Sequence, residues 1–153
     1  MGQDNTPRVR TVFFRGWSDS YEMIIYTDKR SKKYFELERK NNVEICWLLS
    51  KAKCQFRFSG IAKIDISNEN LIHWNQLNEK SKSMWNWPSP GDNFIFDQKN
   101  GFSENTKDDP LNNFTLLKIY ITEVDQLLLH KPIHIRRKWT RVKKEWIEKR
   151  INP

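Results

Sequence analysis

The chain has 153 residues, of which 37% are hydrophobic and 13% aromatic, and its formal net charge is +8. This length allows one domain with a buried core, to which seven Trp and nine Phe can each contribute a large apolar area. No apolar run approaches the length of a membrane span, and no hydrophobic signal region follows Met1, so we expect a soluble cytoplasmic protein without a membrane partner.

The positive charge is concentrated near the C-terminus. Residues 136–150 contain eight Lys and Arg against two Glu, which leaves only +2 of the total charge for the rest of the chain. Such a tail is typical of contacts with nucleic acid or an acidic membrane, but a solvated strand or helix face is the more frequent explanation, and we favour it. Cys46 and Cys54 match no zinc-site spacing, and we expect two buried, reduced thiols.

The N-terminal third of the chain predicts a hairpin. Residues 1–7 are polar, and we interpret them as a disordered leader to a single domain over residues 8–153. Arg8–Trp17 is apolar on both faces, which predicts an interior strand. Glu22–Thr27 predicts a second strand, which pairs with the first across a short turn.

A helix is predicted after Ser31, a suitable N-cap residue. Lys32 and Lys33 in its first turn oppose the helix dipole. A bound anion would relieve this conflict, because the first N–H groups of a helix have no partner within the helix. The alternative is two exposed lysines tolerated at a small cost, and these residues alone leave both explanations open.

Two further strands are predicted at Val43–Ser50 and Cys54–Ile66. In the second strand, Gln55 is a polar residue in an otherwise core-like run. Its amide needs a hydrogen-bond partner, which is either solvent or the edge of a ligand ring.

The central part of the chain predicts one helix and irregular structure. A helix is expected from Ser67 to about Asn78. The two prolines and the glycine of the WPSPG run after it are incompatible with regular structure. Asp97–Asn113 is polar and rich in turn residues, and we interpret it as a mobile loop.

The C-terminal part predicts more strands. Phe114–Thr122 forms the first, Glu123–Gln126 a turn, and Leu127–Leu129 and Ile133–Arg141 continue the sheet. By periodicity alone, the last residues fit a helical stripe better than two strands around a turn at Lys143. Many strands with a few short helices indicate a mainly β protein, for which a small barrel is the leading architecture.

Several motifs occur in a characteristic order. RTVFFRG, YTDKRSKK and QFRFSG follow one another within the first 60 residues, and WPSPG, an H-x-R pair and W-x6-P come later. Together they resemble the pyridoxamine 5′-phosphate oxidase-related flavoproteins of the FMN-binding split-barrel class. The WPSPG run resembles a subgroup whose activity is unassigned. The resemblance covers nearly the whole chain from Arg8.

The resemblance implies an FMN site. Lys32 and Lys33 stand where the family has a paired Arg-Lys, so a planar fork is replaced by a point charge. Gln55 and Arg136 fall on positions that contact the flavin ring. The full set of implied FMN-binding residues is Arg10, Arg15, Tyr26, Thr27, Lys32, Lys33, Gln55 and Arg136. No catalytic residue and no metal are assigned, because the flavin itself carries the electron chemistry.

Three departures from the family pattern bear on the substrate and the fold. Trp74, Asn78 and Lys82 stand where the oxidase has the Tyr, Arg and Ser that hold its substrate phosphate. Pro132 replaces an Arg two places before His134. Trp74, Lys82 and His134 are therefore substrate-side candidates, and we do not expect pyridoxamine phosphate as the substrate. The first motif comes almost at once, where the family has another helix and strand, so we expect an N-terminally shortened barrel.

We predict a mainly β, FMN-binding split β-barrel with two or three short helices and, from the family spacing, a strand–turn–strand tail. The predicted function is a homodimeric flavoprotein with FMN at the subunit interface, an oxidoreductase of unknown substrate. A basic, aromatic-rich barrel that binds single-stranded nucleic acid is one alternative, but it leaves the ordered spacing of the motifs unexplained. A degenerate barrel that has lost its cofactor is the other.

Overall fold

The structure is a computed structural model that describes residue 2 and residues 5–93 and 109–153. Most of the loop predicted at 97–113, and part of the leader predicted at 1–7, lie outside the described residues. The end of that loop forms a short 3-10 helix at Pro110–Asn113.

Seven strands and three short α-helices make up most of the described chain, which confirms the mainly β prediction. In chain order they are β1 Phe14–Trp17, β2 Met23–Asp28, α1 Lys32–Arg39, β3 Asn42–Leu49, β4 Cys54–Ile64, α2 Glu69–Asn75, α3 Glu79–Ser83, β5 Phe114–Leu128, β6 Ile135–Val142 and β7 Glu145–Ile151. A 3-10 helix at Met84–Asn86 directly follows α3.

The strands form one sheet with the hydrogen-bonding order β1-β2-β5-β4-β3, and β6 pairs with both β5 and β7. The β1–β2, β3–β4, β5–β6 and β6–β7 pairs are antiparallel. The register of β1 on β2 shifts between Phe14 and Gly16. Gly16 has φ +135°, a conformation that only glycine adopts easily, which explains the glycine at this irregularity.

The chain divides into two compact units. The first comprises residues 1–41 and 63–118, and its aromatic core contains Trp74 and Phe114 with Ile24 and Leu116. The second comprises residues 42–62 and 119–153, and its buried residues include Phe58 and Ile121.

The first predicted strand is wrong over most of its length. Strand β1 begins only at Phe14, and Arg8–Phe13 have no regular structure. Val9 is 99% exposed and Phe13 73% exposed, so these side chains are not interior. The apolar residues of the segment predict burial. Strand β1 is at the edge of the sheet, however, and no other described strand pairs with its outer side.

The helix predicted from Ser67 to Asn78 is present as α2 but is shorter, and a second helix, α3, follows the predicted end. Asn68 rather than Ser67 occupies the N-cap of α2, and α2 ends at Asn75. The Asn78 side chain accepts a hydrogen bond of 2.8 Å from the Ser81 N–H and thereby begins α3. Because Asn78 is the N-cap of the next helix, it is not the last residue of the first one.

The turn predicted at Glu123–Gln126 is also wrong, because β5 continues without interruption to Leu128. Lys138 on β6 forms an ion pair of 2.7 Å with Glu123, and Arg136 binds Asp125. These polar residues are thus cross-strand partners rather than turn residues.

The predicted strand–turn–strand tail is confirmed by the β6–β7 hairpin. Lys143 in its turn has φ +57°, which ends the first strand. The prediction for the thiols is half wrong. Cys54 is buried, whereas Cys46 is exposed on β3.

Candidate functional site

The turn between β2 and α1 leads directly into the two predicted phosphate-binding lysines at the start of α1. The Ser31 hydroxyl donates to the Asp28 carbonyl oxygen at 2.7 Å and accepts from the Tyr34 N–H at 3.4 Å. This N-cap begins α1 at Lys32, as predicted from Ser31, and places both lysines in the first turn, which contains no acidic residue. The positive end of the helix and both ammonium groups therefore lie in the same turn.

Lys33 is half-buried, and burial is the main reason why its pKa is lowered. The Arg10 guanidinium lowers the pKa further, and the Asp28 carboxylate only partly opposes this. Arg10 binds Glu36 of α1 at 2.5 Å, which holds the guanidinium beside the helix. The charged form of Lys33 is therefore disfavoured in the free protein, and a bound anion would stabilise it.

Thr27 lies next to this turn, at the end of β2. It is 2% exposed, and its Oγ1 is buried without a hydrogen-bond partner among the described residues. Buried hydroxyl groups are normally satisfied, so an unpaired one in a predicted cofactor site is an observation that a polar ligand would explain. Thr27 and Lys33 therefore fit a phosphorylated cofactor.

Tyr26 presents an aromatic ring in the same unit. The Arg15 guanidinium lies 4.9 Å from the centre of this ring, and the Phe114 ring meets its edge at 5.1 Å. The Tyr26 hydroxyl forms a hydrogen bond of 2.9 Å with Nδ1 of His73. Burial raises the pKa of Tyr26, although Arg15 lowers it, so the phenol keeps its proton at neutral pH.

His73 was not predicted as a partner of Tyr26. No local pattern indicates a bond between residues so far apart, and its position on α2 follows from contacts at the start of that helix. The Asn70 amide accepts from the Leu116 N–H at 2.8 Å and donates to the Asp65 carbonyl oxygen at 3.0 Å. Lys118 forms ion pairs with Asp65 and Glu69, which anchor the same turn.

Two of the three substrate-side candidates, Trp74 and Lys82, have structural partners in the described part of the chain. Trp74 is buried against Phe114, with ring centres 5.4 Å apart. Lys82 binds Glu79 at 3.0 Å, and its ammonium lies 6.0 Å from the centre of the Trp74 ring. His134 is exposed just before β6, in the other unit.

Gln55 and Arg136 also belong to the second unit. Gln55 is half-buried on β4, opposite Leu48. Arg136 forms a two-pronged bond to Asp125, with Nε at 3.0 Å and Nη2 at 2.6 Å. The Arg136 hydrogen bond is the main reason why the pKa of Asp125 is lowered. Contact of Gln55 and Arg136 with a flavin ring stays a prediction.

The first unit therefore contains six of the eight residues assigned to FMN: Arg10, Arg15, Tyr26, Thr27, Lys32 and Lys33. In the described part of the chain, no cluster of three or more His, Cys, Asp or Glu could hold a metal ion. Within the same residues, no helix has both the length and the apolar character needed to cross a membrane.

A family model and a curated relative both relate this chain to pyridoxamine 5′-phosphate oxidase. Residues 1–65 match the family model described as the FMN-binding domain of pyridoxamine 5′-phosphate oxidase. The Arabidopsis thaliana protein named pyridoxine/pyridoxamine 5′-phosphate oxidase 2 is 32% identical over 142 residues, which cover 84% of this chain and 70% of the relative.

Solved structures give the same fold. A pyridoxamine 5′-phosphate oxidase-related, FMN-binding protein from Nostoc punctiforme superposes with a TM-score of 0.84 at 27% identity, over 99% of this chain and 84% of its own. PhzG from Burkholderia lata, solved with tetrahydrophenazine-1-carboxylic acid, has a TM-score of 0.77 at 16% identity, over 100% and 79% of the two chains, and supports the fold alone. The chain belongs to the pyridoxamine 5′-phosphate oxidase family and has its FMN-binding split-barrel fold.

Proposed function

We propose that this protein binds FMN and acts as a flavin-dependent oxidoreductase. The proposal rests above all on Lys33, a half-buried lysine in the first turn of α1 whose charged form is disfavoured beside Arg10. A phosphate carries close to two negative charges and accepts several hydrogen bonds, so it would stabilise Lys33 as a cation. The hydroxyl of Thr27, which has no hydrogen-bond partner among the described residues, supports the same proposal.

The remaining cofactor residues have roles that suit their chemistry. Arg10, Arg15 and Lys32 add positive charge for the phosphate end of FMN. Tyr26 offers an aromatic surface, and the amide of Gln55 can both donate to and accept from the polar edge of a ring. Bound FMN would supply the electron transfer. The protein would bind and orient both FMN and substrate.

We further propose that the substrate is not pyridoxamine 5′-phosphate, although the Arabidopsis relative bears that name. Asn78 caps α3, Trp74 is in the core and Lys82 is paired with Glu79. None of the three is a free phosphate ligand of the kind that the oxidase has at these positions. A different substrate would need different anchoring groups.

The proposed assembly is a homodimer with FMN at the subunit interface, in the cytoplasm. Support for the dimer comes from the exposed apolar residues before and within β1, where Val9, Phe13 and Trp17 are 99%, 73% and 48% exposed. A short edge strand with such residues is a surface that a second chain can cover. The oligomeric mass in light scattering tests this, and a monomer at micromolar concentration would contradict it.

The visible spectrum of the purified protein tests FMN binding. We expect either bound oxidised flavin or uptake of added FMN. The K32A/K33A double variant should bind FMN at least about 100-fold more weakly, since two charge-assisted hydrogen bonds are lost, and riboflavin about equally well. The R39A/K40A variant, which removes two charges from the other end of α1, is the matched control. Equal losses of FMN and riboflavin would show that the phosphate lies elsewhere.

An oxidase assay tests the proposed substrate restriction. The FMN-loaded protein should oxidise pyridoxamine 5′-phosphate far more slowly than the roughly 1–1000 per second that is typical of enzymes. Turnover within that range would refute the conclusion drawn from Trp74, Asn78 and Lys82.

A further inference from the structure

We propose that Arg30 is a positioning residue with two roles at the predicted phosphate site. It neutralises Asp28, and it fastens the Trp-Pro segment, defined as Trp85–Gly91, to the turn that precedes Lys32 and Lys33. The inference rests on the proposed function, because the phosphate in question is that of FMN. Arg30 lies within the YTDKRSKK motif but is not one of the eight residues assigned to FMN.

The first role follows from the bonds between Arg30 and Asp28. Nε of Arg30 donates to Oδ1 of Asp28 at 3.0 Å, and Nη2 donates to Oδ2 at 2.7 Å. The backbone N–H of Arg30 donates to the same Oδ1 at 2.7 Å, so the carboxylate also shapes the turn. Both side chains are largely buried, with 20% and 11% exposed. The planar guanidinium matches both carboxylate oxygens, which lysine cannot do.

Neutralising Asp28 matters because its charge acts on the lysines. Asp28 raises the pKa of Lys33 against the larger effects of burial and Arg10, so the carboxylate and the ammonium interact. An unpaired carboxylate here would also repel a phosphate. With Arg30 bound to it, Asp28 retains its role in the turn, and its negative charge is balanced.

The second role follows from Nη2 of Arg30, which also donates to the carbonyl oxygen of Trp85 at 3.2 Å. Nδ2 of Asn113 donates to the same oxygen at 3.0 Å, and the carbonyl of Asn113 accepts from the Lys29 N–H at 2.8 Å. Trp85 also packs edge-to-face on Phe114, with ring centres 5.0 Å apart. Two residues of the turn are thus connected to the start of the Trp-Pro segment.

The other end of the segment lies against the lysines as well. A Cβ atom built on Gly91 would be 4.0 Å from Cε of Lys32, and Gly91 has φ +97°, which disfavours other residues. The Trp-Pro segment therefore borders the predicted phosphate site at both ends. An anion that attracts the Lys32 ammonium would move this side chain relative to Gly91. If the Trp-Pro segment becomes less ordered, the Lys32 side chain in turn becomes less restricted. We infer that phosphate binding and the order of this segment are coupled, and such coupling is reciprocal.

Charge neutralisation is tested by a rescue experiment with FMN and riboflavin. R30Q leaves Asp28 uncompensated and should weaken FMN binding about tenfold, or about 1.4 kcal/mol, with little change for riboflavin. D28N/R30Q removes the charge, while the Asn oxygen can still accept from the backbone N–H of residue 30, and should restore most of the FMN affinity. R39Q, at the exposed end of α1, is the control for lost charge. A failure of D28N to restore FMN binding to R30Q would overturn this role.

The tie to the Trp-Pro segment is tested by hydrogen exchange of residues 85–91. Both R30Q and D28N/R30Q lack the bond to Trp85 and should exchange faster in this segment than wild type and R39Q, without FMN present. R30K retains the charge, so its loss of FMN affinity should be smaller than that of R30Q, but it should exchange faster, because one ammonium cannot replace the fork. R30K also serves if R30Q does not fold. Unchanged exchange in these variants would overturn the second role.

The two experiments separate this inference from the proposed function. If wild-type protein takes up neither FMN nor riboflavin, the proposed function fails, and the neutralising role fails with it. The exchange of the flavin-free variants still decides whether Arg30 holds the segment. If wild type binds FMN with slower exchange in residues 85–91 and R30K binds it without that slowing, both the proposed function and the coupling are supported.

Discussion

Replacing Lys33 by Met should weaken FMN binding and stabilise the flavin-free protein. The ammonium of Lys33 is half-buried next to Arg10, and no carboxylate within its own helical turn compensates for it. Met has a similar length without the charge, so the cost of desolvation disappears. A removed charge of this kind is expected to raise the free energy of unfolding by about 1 kcal/mol, or the melting temperature by about 3 °C.

The loss of FMN affinity in K33M is expected to be larger than this gain. One charge-assisted hydrogen bond contributes about 1.5–3 kcal/mol, so the dissociation constant of FMN should rise roughly 10- to 150-fold. K32M is the matched control, because Lys32 is the exposed neighbour in the same turn. Its charge is better screened by solvent, so both effects should be smaller.

The pH dependence of stability gives a second test of the same reasoning. The pKa of Lys33 is lowered from 10.5 in the folded protein. The unfolded chain therefore binds more protons in the interval between the folded pKa and 10.5, and the stability of wild type rises with pH through that interval. K33M lacks this contribution, so its advantage should be full below the folded pKa and shrink as the pH approaches 10.5.

Urea unfolding of flavin-free wild type, K33M and K32M at neutral and alkaline pH measures these differences. FMN titration of the same three proteins gives the affinities. The reasoning is refuted if K33M is less stable than wild type at neutral pH, or if its FMN affinity is unchanged. The first result would mean that Lys33 is already satisfied in the free protein, and the second that Lys33 does not contact the phosphate.

Three other substitutions test separate parts of the structure. G60A should lower stability by about 1–3 kcal/mol in urea unfolding, because a Cβ at this position would lie 2.6 Å from a backbone oxygen of β5. D125N should make the free energy of unfolding less dependent on pH in the acid range. The pKa of Asp125 is lowered from 3.8, mainly by Arg136. The stabilising contribution of Asp125 is therefore present above pH 3.8 and is lost as the pH falls through the folded pKa. Equal midpoints of acid unfolding for D125N and wild type would contradict this. H73F should cost about 1–3 kcal/mol by leaving the Tyr26 hydroxyl unpaired, whereas Y26F/H73F should recover part of the loss, and additive losses in thermal unfolding would exclude their coupling.

Arg30 and His73 are two residues near the predicted FMN site to which the motifs assign no role. Both lie outside the eight residues that the motifs assign to FMN, yet each bonds to the surroundings of that set. Arg30 binds Asp28 next to the lysines, and His73 binds the hydroxyl of Tyr26. We expect substitutions at these two residues to affect cofactor and substrate binding through their neighbours.

Local chemistry was enough to predict several elements. Ser31 predicts the start of α1, because its hydroxyl satisfies an N–H group that the helix cannot. The β1–β2 hairpin and strands β3 and β4 follow from apolar runs separated by turn residues. The order of the motifs, rather than any single one, indicated the family and its fold.

Errors arose where a pattern has more than one physical cause. The apolar residues Val9 and Phe13 resemble those of an interior strand, but they are exposed in this chain. Glu123 and Asp125 resemble turn residues, but in a strand they are paired with cations across the sheet. The exposure of Cys46 on β3 depends in the same way on which face of the strand is covered.

Residues within a few positions of each other determine helix caps, turns and the crowding of charge at Lys32 and Lys33, so these features can be predicted from the sequence alone. Contacts between distant residues depend on how the elements pack. Arg30 with Trp85, and Tyr26 with His73, are 55 and 47 residues apart and meet only in the folded unit. No short-range pattern encodes such pairs, because each depends on a backbone arrangement that many other residues produce together.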